Sequence, residues 1–373
     1  MQKYSVDLIM SAVAIEEPLS RKGYALKDLS RSFVQTIGET GPEASGKLLH
    51  YTADFICSGG FELWQRLCWD YAFEHIGIAS PRIFTYLRQK MTGLCEMAVK
   101  VSTNAFINSA QVQSSTAEIV LILQTCPKKA KVKLPIVPHS THRNEEWLLG
   151  AANSTERAVV RKVWNHSVDL PPLLYSANEL FTAITDGALE KALFWTRWIF
   201  EEDALLRKQY GSGLTTMDRG PATLGAKVRS HPGFFICSVL AEAYKELAEK
   251  SHIRMHEEFQ TLLDIYRSAE KGTTAKRRQD ALILMIQIIT DVPRWRVPAA
   301  PSLIKDPVVL ARAVRNSEIF FTEILRLPLP LKPLPNRVGS LAVKKKAPAD
   351  KNALIQGHLD DAEKAILQFY GSF

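Results

Sequence analysis

The sequence predicts an all-α protein, and three observations lead to that fold class. Apolar residues recur at spacings of three and four through most of the chain, which is the period of one helix face. The apolar stretches stop at glycine or proline, residues that commonly end helices. With 373 residues and 46% hydrophobic content, the chain can bury one large core or two ordinary ones, and its length favours two domains.

The first predicted helices form a hairpin. One helix covers 48–56 and ends in the turn Ser58-Gly59-Gly60. A second apolar stripe follows over 63–76 and stops at Gly77. The next helix starts at Ser80-Pro81, where serine suits the N-cap and proline suits the first helical position.

A polar loop predicts the boundary between two domains. An apolar helix over 117–124 ends at Pro127, because proline cannot continue a helix. Basic residues and the loop 135–143 follow, so we predict a first domain over 1–143 and a second over 144–326. The second domain is predicted to hold a Gly-rich linker at 211–225 and helices over 188–200, 234–250, 252–268, 280–291 and 308–325.

The last part, 327–373, is predicted to be an extension of the second domain. It begins with a polyproline-like strap over 327–335, continues through the basic segment Lys344-Lys345-Lys346, and ends with a short helix over 354–370. Lysines in such a segment could add non-specific affinity for an acidic partner.

The two halves resemble each other, and this leaves two interpretations open. An ancient tandem duplication would explain the likeness, but helical hairpins also resemble each other by coincidence, and the spacings between the matched pieces differ. The matched pairs are 50–56 with 194–200, 67–72 with 240–245, and 119–127 with 284–293.

Charge and composition restrict the partners and the compartment. The net charge of +8 favours an acidic partner, with nucleic acid first and a membrane surface or an acidic protein as alternatives. Five cysteines without a close pair argue against a disulfide framework and a Cys-x-x-Cys zinc site. No segment approaches the length of an apolar membrane span, and the N-terminus makes a poor signal peptide. We therefore expect a soluble intracellular protein without a membrane partner.

One run of residues carries a resemblance to a known family. Tyr71-Ala-Phe-Glu-His-Ile-Gly-Ile-Ala-Ser-Pro81 joins a helix end to a proline-started helix, and Thr125-Cys-Pro-Lys-Lys129 and Val137 to Asn144 follow it. On these residues the stretch 48–143, about a quarter of the chain, resembles the helical C-terminal collar of the RarA/MgsA family of AAA+ replication-fork proteins, relatives of clamp loaders. His75 stands where that family prefers an acid. The stretch is also similar in style to stand-alone helical replication proteins of large DNA viruses.

The resemblance implies a place in DNA replication or repair, in a nuclear or cytoplasmic replication compartment or a virion. It implies two collar-like helical domains, self-association into a homo-oligomer, and replication proteins as further partners.

The ATPase motor of that family is not expected in this chain. Gly41-Pro-Glu-Ala-Ser-Gly46-Lys47 has the glycine and lysine spacing of a phosphate loop, but Leu48 stands where a Ser or Thr hydroxyl must hold magnesium. We expect an ordinary loop there, before a helix that begins at Leu48. We predict no cofactor and no enzymatic activity.

Two other patterns carry weak chemical signals. His252 and His256 share a helix face at a spacing that suits a metal, but the sequence offers no third ligand. Cys57 before Ser58-Gly59-Gly60 is more typical of a small buried hydrophobe than of a nucleophile. We therefore predict no metal site and no catalytic residue.

Basic clusters are the better candidates for a binding site. The cluster at 128–133 follows a helix C-terminus, where the helix dipole attracts cations without any ligand, whereas the cluster at 276–278 precedes a predicted helix start, where the dipole repels them. Trp295 between two arginines suits stacking on a base. The candidate nucleic-acid contacts are Lys128, Lys129, Lys131, Lys133, Lys276, Arg277, Arg278, Arg294, Trp295, Arg296, Lys344, Lys345 and Lys346. The tryptophans inside helical stripes are expected to pack in the core: Trp64, Trp69, Trp195 and Trp198.

The sequence therefore predicts a non-enzymatic accessory or scaffold protein that self-associates and binds nucleic acid, DNA above all, through lysine and arginine. The alternative is a structural or packaging protein of a virion or a chromatin-like assembly, whose positive charge neutralises nucleic acid in bulk.

Overall fold

A computed structural model describes residues 18–153, 155–251, 257–269, 273–291 and 303–330. Within these ranges the secondary structure is helical, without strands or a sheet, so the predicted all-α class is confirmed. The only β-type pairings described are two isolated bridges, Leu19 with Ala25 and Asp169 with Thr215. No helix in the described ranges is long and apolar enough to span a membrane.

From residue 18 onwards, the described part of the first half contains six α-helices and a distorted turn. The helices are α1 Leu26–Gly38, α2 Pro42–Cys57, α3 Phe61–Tyr71, α4 Arg82–Lys100, α5 Thr103–Ile107 and α6 Ala110–Thr125. Between α3 and α4 the chain forms a π-helical turn, Ala72–Ile76, and a 3₁₀ turn, Gly77–Ala79.

The second half begins after a 3₁₀ turn at His139–Thr141. Its described helices are α7 Glu145–Ala151, α8 Ala158–Val163, α9 Pro171–Thr185, α10 Leu189–Tyr210, α11 Ala226–Arg229, α12 Pro232–Ser251, α13 Glu257–Arg267, α14 Ala275–Thr290 and α15 Pro307–Leu325.

One continuous apolar core joins these helices. Helix α14 is buried along most of its length and packs against α9, α10, α12 and α13, as well as against the π-helical turn of the first half. Helix α15 packs on α2 and α6, although it belongs to the predicted 144–326 part. The packing therefore crosses the predicted boundary at 135–143, and the division into two domains stays a prediction.

Three helix starts differ from the expectations. Helix α2 begins at Pro42, so the segment expected to be a loop before Leu48 is the first part of this helix. Helix α4 begins at Arg82 after Pro81 in the cap position, with no hydrogen bond from a capping side chain, so the assignment of Ser80 as cap was wrong. Helix α14 begins at Ala275, where the hydroxyl of Thr274 accepts the amide of Arg277.

The Gly-rich segment 211–225 is fastened to the core. Leu214 is buried, and its amide donates to Asp203 Oδ1 at 2.8 Å. Thr215 donates to Asp169 Oδ1 at 2.6 Å, and the buried Arg219 binds the same carboxylate. Charge-assisted contacts of this kind are the stronger class of hydrogen bond, so this linker is a structural part of the second half.

Candidate nucleic-acid interface

The run with the family resemblance forms an unusual turn. After α3 the helix widens into the π-helical turn Ala72–Ile76, and Gly77 then adopts a positive φ of 48° that favours glycine. The widened turn leaves the Glu74 and His75 carbonyls available to other donors. The amides of Lys129 and Lys131 donate to them, at 2.7 Å to His75 and 3.2 Å to Glu74. The segment after α6 is therefore held beside this turn.

Helix α14 lies on the other side of the same segment, and a cleft of about 590 Å³ opens between them. We call it the basic cleft. Its lining comes from the π-helical turn, the segment after α6, α10 and α14, and its charged and imidazole side chains are Glu74, His75, Lys131, Lys133, Arg197 and Lys276. Four cations from three separated parts of the chain thus meet at one place.

Acidic side chains pair with three of the four cations. Lys276 pairs with Glu74, Lys131 pairs with the buried Asp280, and Arg197 pairs with Glu201 at 2.5 Å. The hydrogen bond to Lys276 lowers the pKa of Glu74 and the same contact raises the pKa of Lys276. Burial raises the pKa of Asp280, and the contact with Lys131 opposes that effect.

The remaining lysines of this region reach solvent. Lys133 lines the basic cleft and is exposed, and Lys129 is exposed at the neighbouring edge. Within the described ranges neither side chain lies in an ion pair. These two lysines can therefore meet a phosphate without first giving up an acidic partner.

Lys128 has a structural role instead. Its ammonium group donates to the carbonyls of Leu123, Gln124 and Cys126 at 2.9, 2.7 and 2.7 Å, and it lies 5.9 Å from the ring centre of Tyr71. Desolvation lowers the pKa of Lys128. The carbonyls at a helix C-terminus lack intrahelical partners, so this lysine caps α6.

The basic residues at the start of α14 likewise differ in whether they face the cleft or bind other groups of the protein. Lys276 faces the cleft, whereas Arg277 is buried, donates to Asp70 at 3.4 Å and lies 5.7 Å from the ring centre of Trp69. Arg278 donates to the carbonyls of Tyr266, Thr273 and Ser268 at 3.1, 3.0 and 2.7 Å. All three lie inside the first turns of α14 and not before it, which corrects the expected position.

The other candidate contacts lie outside the described residues. These are Arg294, Trp295, Arg296, Lys344, Lys345 and Lys346, and the same holds for His252 and His256. In the described part of the chain, no group of three histidine, cysteine or carboxylate side chains is arranged to hold a metal ion.

The aromatic and cysteine side chains inside the helices pack as expected. Trp64, Trp69, Trp195 and Trp198 are all buried, which confirms the packing prediction. Cys57 is buried as well, and burial raises its pKa to about 12, far from the range of a reactive thiolate.

The segment with phosphate-loop spacing does not have the geometry of a phosphate loop. Residues from Pro42 onwards are helical, so their amides after the first turn serve the helix ladder and do not form a cradle for an anion. Lys47 pairs with Glu43 at 2.7 Å, and Leu48 is buried in the core.

Sequence reasoning missed Arg197. This arginine lies in α10 within an apolar helical run, with tryptophans on both sides of it in the sequence, and no basic cluster marks it. Only the packing of α10 beside the segment after α6 places it at the cleft.

Neither a family model, nor a curated protein, nor a solved structure matches this chain.

Proposed function

We propose that the protein is a non-enzymatic accessory or scaffold protein of DNA replication or repair, which binds nucleic acid through the basic cleft. The observation that supports this is the meeting of Lys131, Lys133, Arg197 and Lys276 at one cleft from three separated parts of the chain. Lysine and arginine at such a place attract phosphate and make binding depend on salt.

The ion pairs in the cleft are compatible with phosphate binding where they are exposed. The side chain of Lys276 is 60% exposed and that of Glu74 is 39% exposed. Exposed pairs of this kind contribute roughly 0–1 kcal/mol, so a phosphate can take the place of the carboxylate at small cost. Lys131 is different, because its partner Asp280 is buried, and we assign it to holding the segment in place.

The proposed assembly follows from the resemblance of 48–143 to the RarA/MgsA collar. In that family the helical region assembles the oligomer, and we propose that this chain forms a homo-oligomer by the same helices and can bind replication proteins. Nucleic-acid contact would then come from the basic cleft.

Binding of a short DNA duplex, followed by fluorescence anisotropy at low salt, tests the function. The double variant Lys129→Glu/Lys133→Glu is expected to bind at least roughly tenfold more weakly, because two repulsive charges replace two attractive ones. Lys27→Glu/Lys100→Glu is the control matched in charge, since both lysines are exposed and neither lines the cleft.

Light scattering with and without the duplex gives the oligomer and the complex together. The proposal predicts a defined oligomer whose mass rises by whole duplexes. Absence of binding to DNA and RNA at low salt would overturn the proposed function, and equal losses in the cleft and control variants would remove the cleft from it.

A further inference from the structure

A buried histidine lies between two carboxylates where the loop after the basic segment meets α10. The side chain of His142 is 2% exposed. Its Nδ1 is 3.0 Å from Glu202 Oε2, and its Nε2 is 3.1 Å from Glu201 Oε2. Both ring nitrogens therefore contact carboxylate oxygens at hydrogen-bond distance.

The two hydrogen bonds of the ring determine how many protons the cluster of His142, Glu201 and Glu202 must hold. An ionised carboxylate only accepts hydrogen bonds, and a neutral imidazole has one N–H. Two hydrogen bonds between one ring and two carboxylates therefore require two protons. A neutral His142 beside two ionised glutamates supplies one, so the cluster needs one additional proton to make both bonds.

The surroundings favour the ring as the place for that proton. Glu201 also binds Arg197 at 2.5 Å, and Glu202 also accepts a hydrogen bond from the amide of Arg143 at 3.1 Å, so each carboxylate already accepts from a further donor, which is the role of an ionised carboxylate. The ring of Trp198 is stacked on His142 with 5.7 Å between ring centres, and an indole face attracts a cation.

The backbone next to the ring is held firmly. Arg143 has a positive φ of 54°, which a non-glycine residue adopts only where other contacts hold it. Its guanidinium donates to the Leu205 carbonyl at 3.1 Å, in addition to the amide contact with Glu202. The loop is thus attached to α10 at several adjoining points.

We propose that His142 is an imidazolium clamp between the loop and α10, and that loss of its proton weakens anion binding at the basic cleft. The ionisable groups that surround the ring are Glu201 and Glu202 of α10, Arg197 through Glu201, and His139 and Arg143 of its own loop. The effect on anion binding rests on the proposed function.

Two consequences connect the clamp to the cleft. His142, Glu201, Glu202 and Arg197 together carry no net charge when the ring is an imidazolium, and one negative charge when it is neutral. Arg197 lines the cleft, so that negative charge opposes phosphate. In addition, Lys133 lies nine residues before His142 in the segment that joins α6 to α7. If the loop detaches from α10, this lysine is held less firmly at the cleft.

The protonation state can be measured without nucleic acid. Nitrogen NMR of the histidine rings in the full chain, from about pH 5 to about pH 9, distinguishes a ring with two N–H groups from a ring with one. His142→Gln identifies the signal. We expect two N–H groups in the ring at the acidic end, and the exchange protection of the Arg143 amide should fall when one proton is lost.

Binding of the DNA duplex across the same pH range tests the connection to the cleft. His75 is a second imidazole at the cleft, so every variant carries His75→Gln to remove it. In this background we expect the affinity to fall roughly threefold to tenfold as His142 loses its proton. The reason is that the net charge of the cluster beside the cleft changes from zero to one negative charge, which repels phosphate. His142→Gln should remove that dependence, while His166→Gln, an exposed histidine, should keep it.

The outcomes separate the two claims. A ring with a single N–H at every pH overturns the clamp. Two N–H groups together with a DNA affinity that does not change with pH overturn the connection to the cleft. If wild type binds no nucleic acid at all, the proposed function and that connection fail together, and the NMR result alone decides the clamp.

Discussion

Two basic clusters of this protein look alike in the sequence but differ in what their side chains do. In the cluster after α6, the first lysine, Lys128, caps the helix, Lys129 lies exposed at the edge of the cleft, and Lys131 and Lys133 line the cleft. In the cluster at the start of α14, the first residue, Lys276, faces the cleft, and the two arginines turn inward to carbonyls and a carboxylate.

The difference shows that the position of a basic residue relative to a helix end decides which groups its side chain binds. A residue directly after a helix C-terminus meets unpaired carbonyls, and Lys128 is drawn to them. Inside a first helical turn, the helix's own carbonyls point along the helix, so Arg278 binds the carbonyls of the preceding chain segment instead. The count of lysines and arginines in a cluster therefore overstates the number that can bind a ligand.

The largest expected effect is on stability, at Arg278. Arg278→Ala removes three hydrogen bonds from a charged donor, and we expect the free energy of unfolding to fall by about 2–3 kcal/mol. Urea unfolding measures this, with Arg31→Ala, an exposed residue on α1, as a control that should change it by less than about 0.5 kcal/mol. If both variants have equally small effects, Arg278 does not stabilise the fold. The distinction between structural basic residues and those available to a ligand would then be wrong.

A smaller loss of stability is expected at Lys128. Lys128→Met keeps the apolar stem and removes the ammonium that caps α6, so the free energy of unfolding should fall by about 1–2 kcal/mol. The DNA affinity of the folded variant should stay unchanged, because the ammonium is occupied by carbonyls. A weakened affinity without a change in stability would reverse this assignment.

The smallest expected effect is a gain in binding at Glu74. Glu74→Gln removes the carboxylate that pairs with Lys276, so Lys276 becomes available to a phosphate. We expect tighter DNA binding, with a salt dependence that is steeper by at most about 0.9 in the slope of log affinity against log salt. Titrations at several salt concentrations measure this, and a weaker affinity would mean that Glu74 positions Lys276 for its ligand.

Sequence periodicity located helices that bury a regular apolar stripe, such as α2, α3, α6 and α15, but it did not locate α1, α7, α8, α9 or α11. Helix α11 buries no residue, so it has no such stripe. The predicted helix over 280–291 located most of α14 but missed its start at Ala275, and the stop at Pro127 placed the end of α6. The start of α2 was missed because Pro42 and Gly46 were interpreted as loop residues. In the structure Gly46 lies inside α2, next to the ring of Phe320.

The cleft could be predicted only in part. Helix-dipole arguments allowed a structural role for the whole cluster at 128–133 without singling out Lys128, and they favoured the whole of 276–278 as a contact, of which only Lys276 lines the cleft. Arg197 and the partners Glu74 and Asp280 depend on packing between distant segments, which single-sequence periodicity does not contain.

The salt dependence of duplex DNA binding tests the central claim most directly. Lys129→Gln/Lys133→Gln should reduce the slope of log affinity against log salt by about 1.8, because two phosphate contacts are lost. The same measurement on Lys128→Met should give the wild-type slope, although the three lysines lie within six residues of each other. An unchanged slope in the double variant, or an equal reduction in both variants, would contradict the assignment of nucleic-acid binding to the basic cleft.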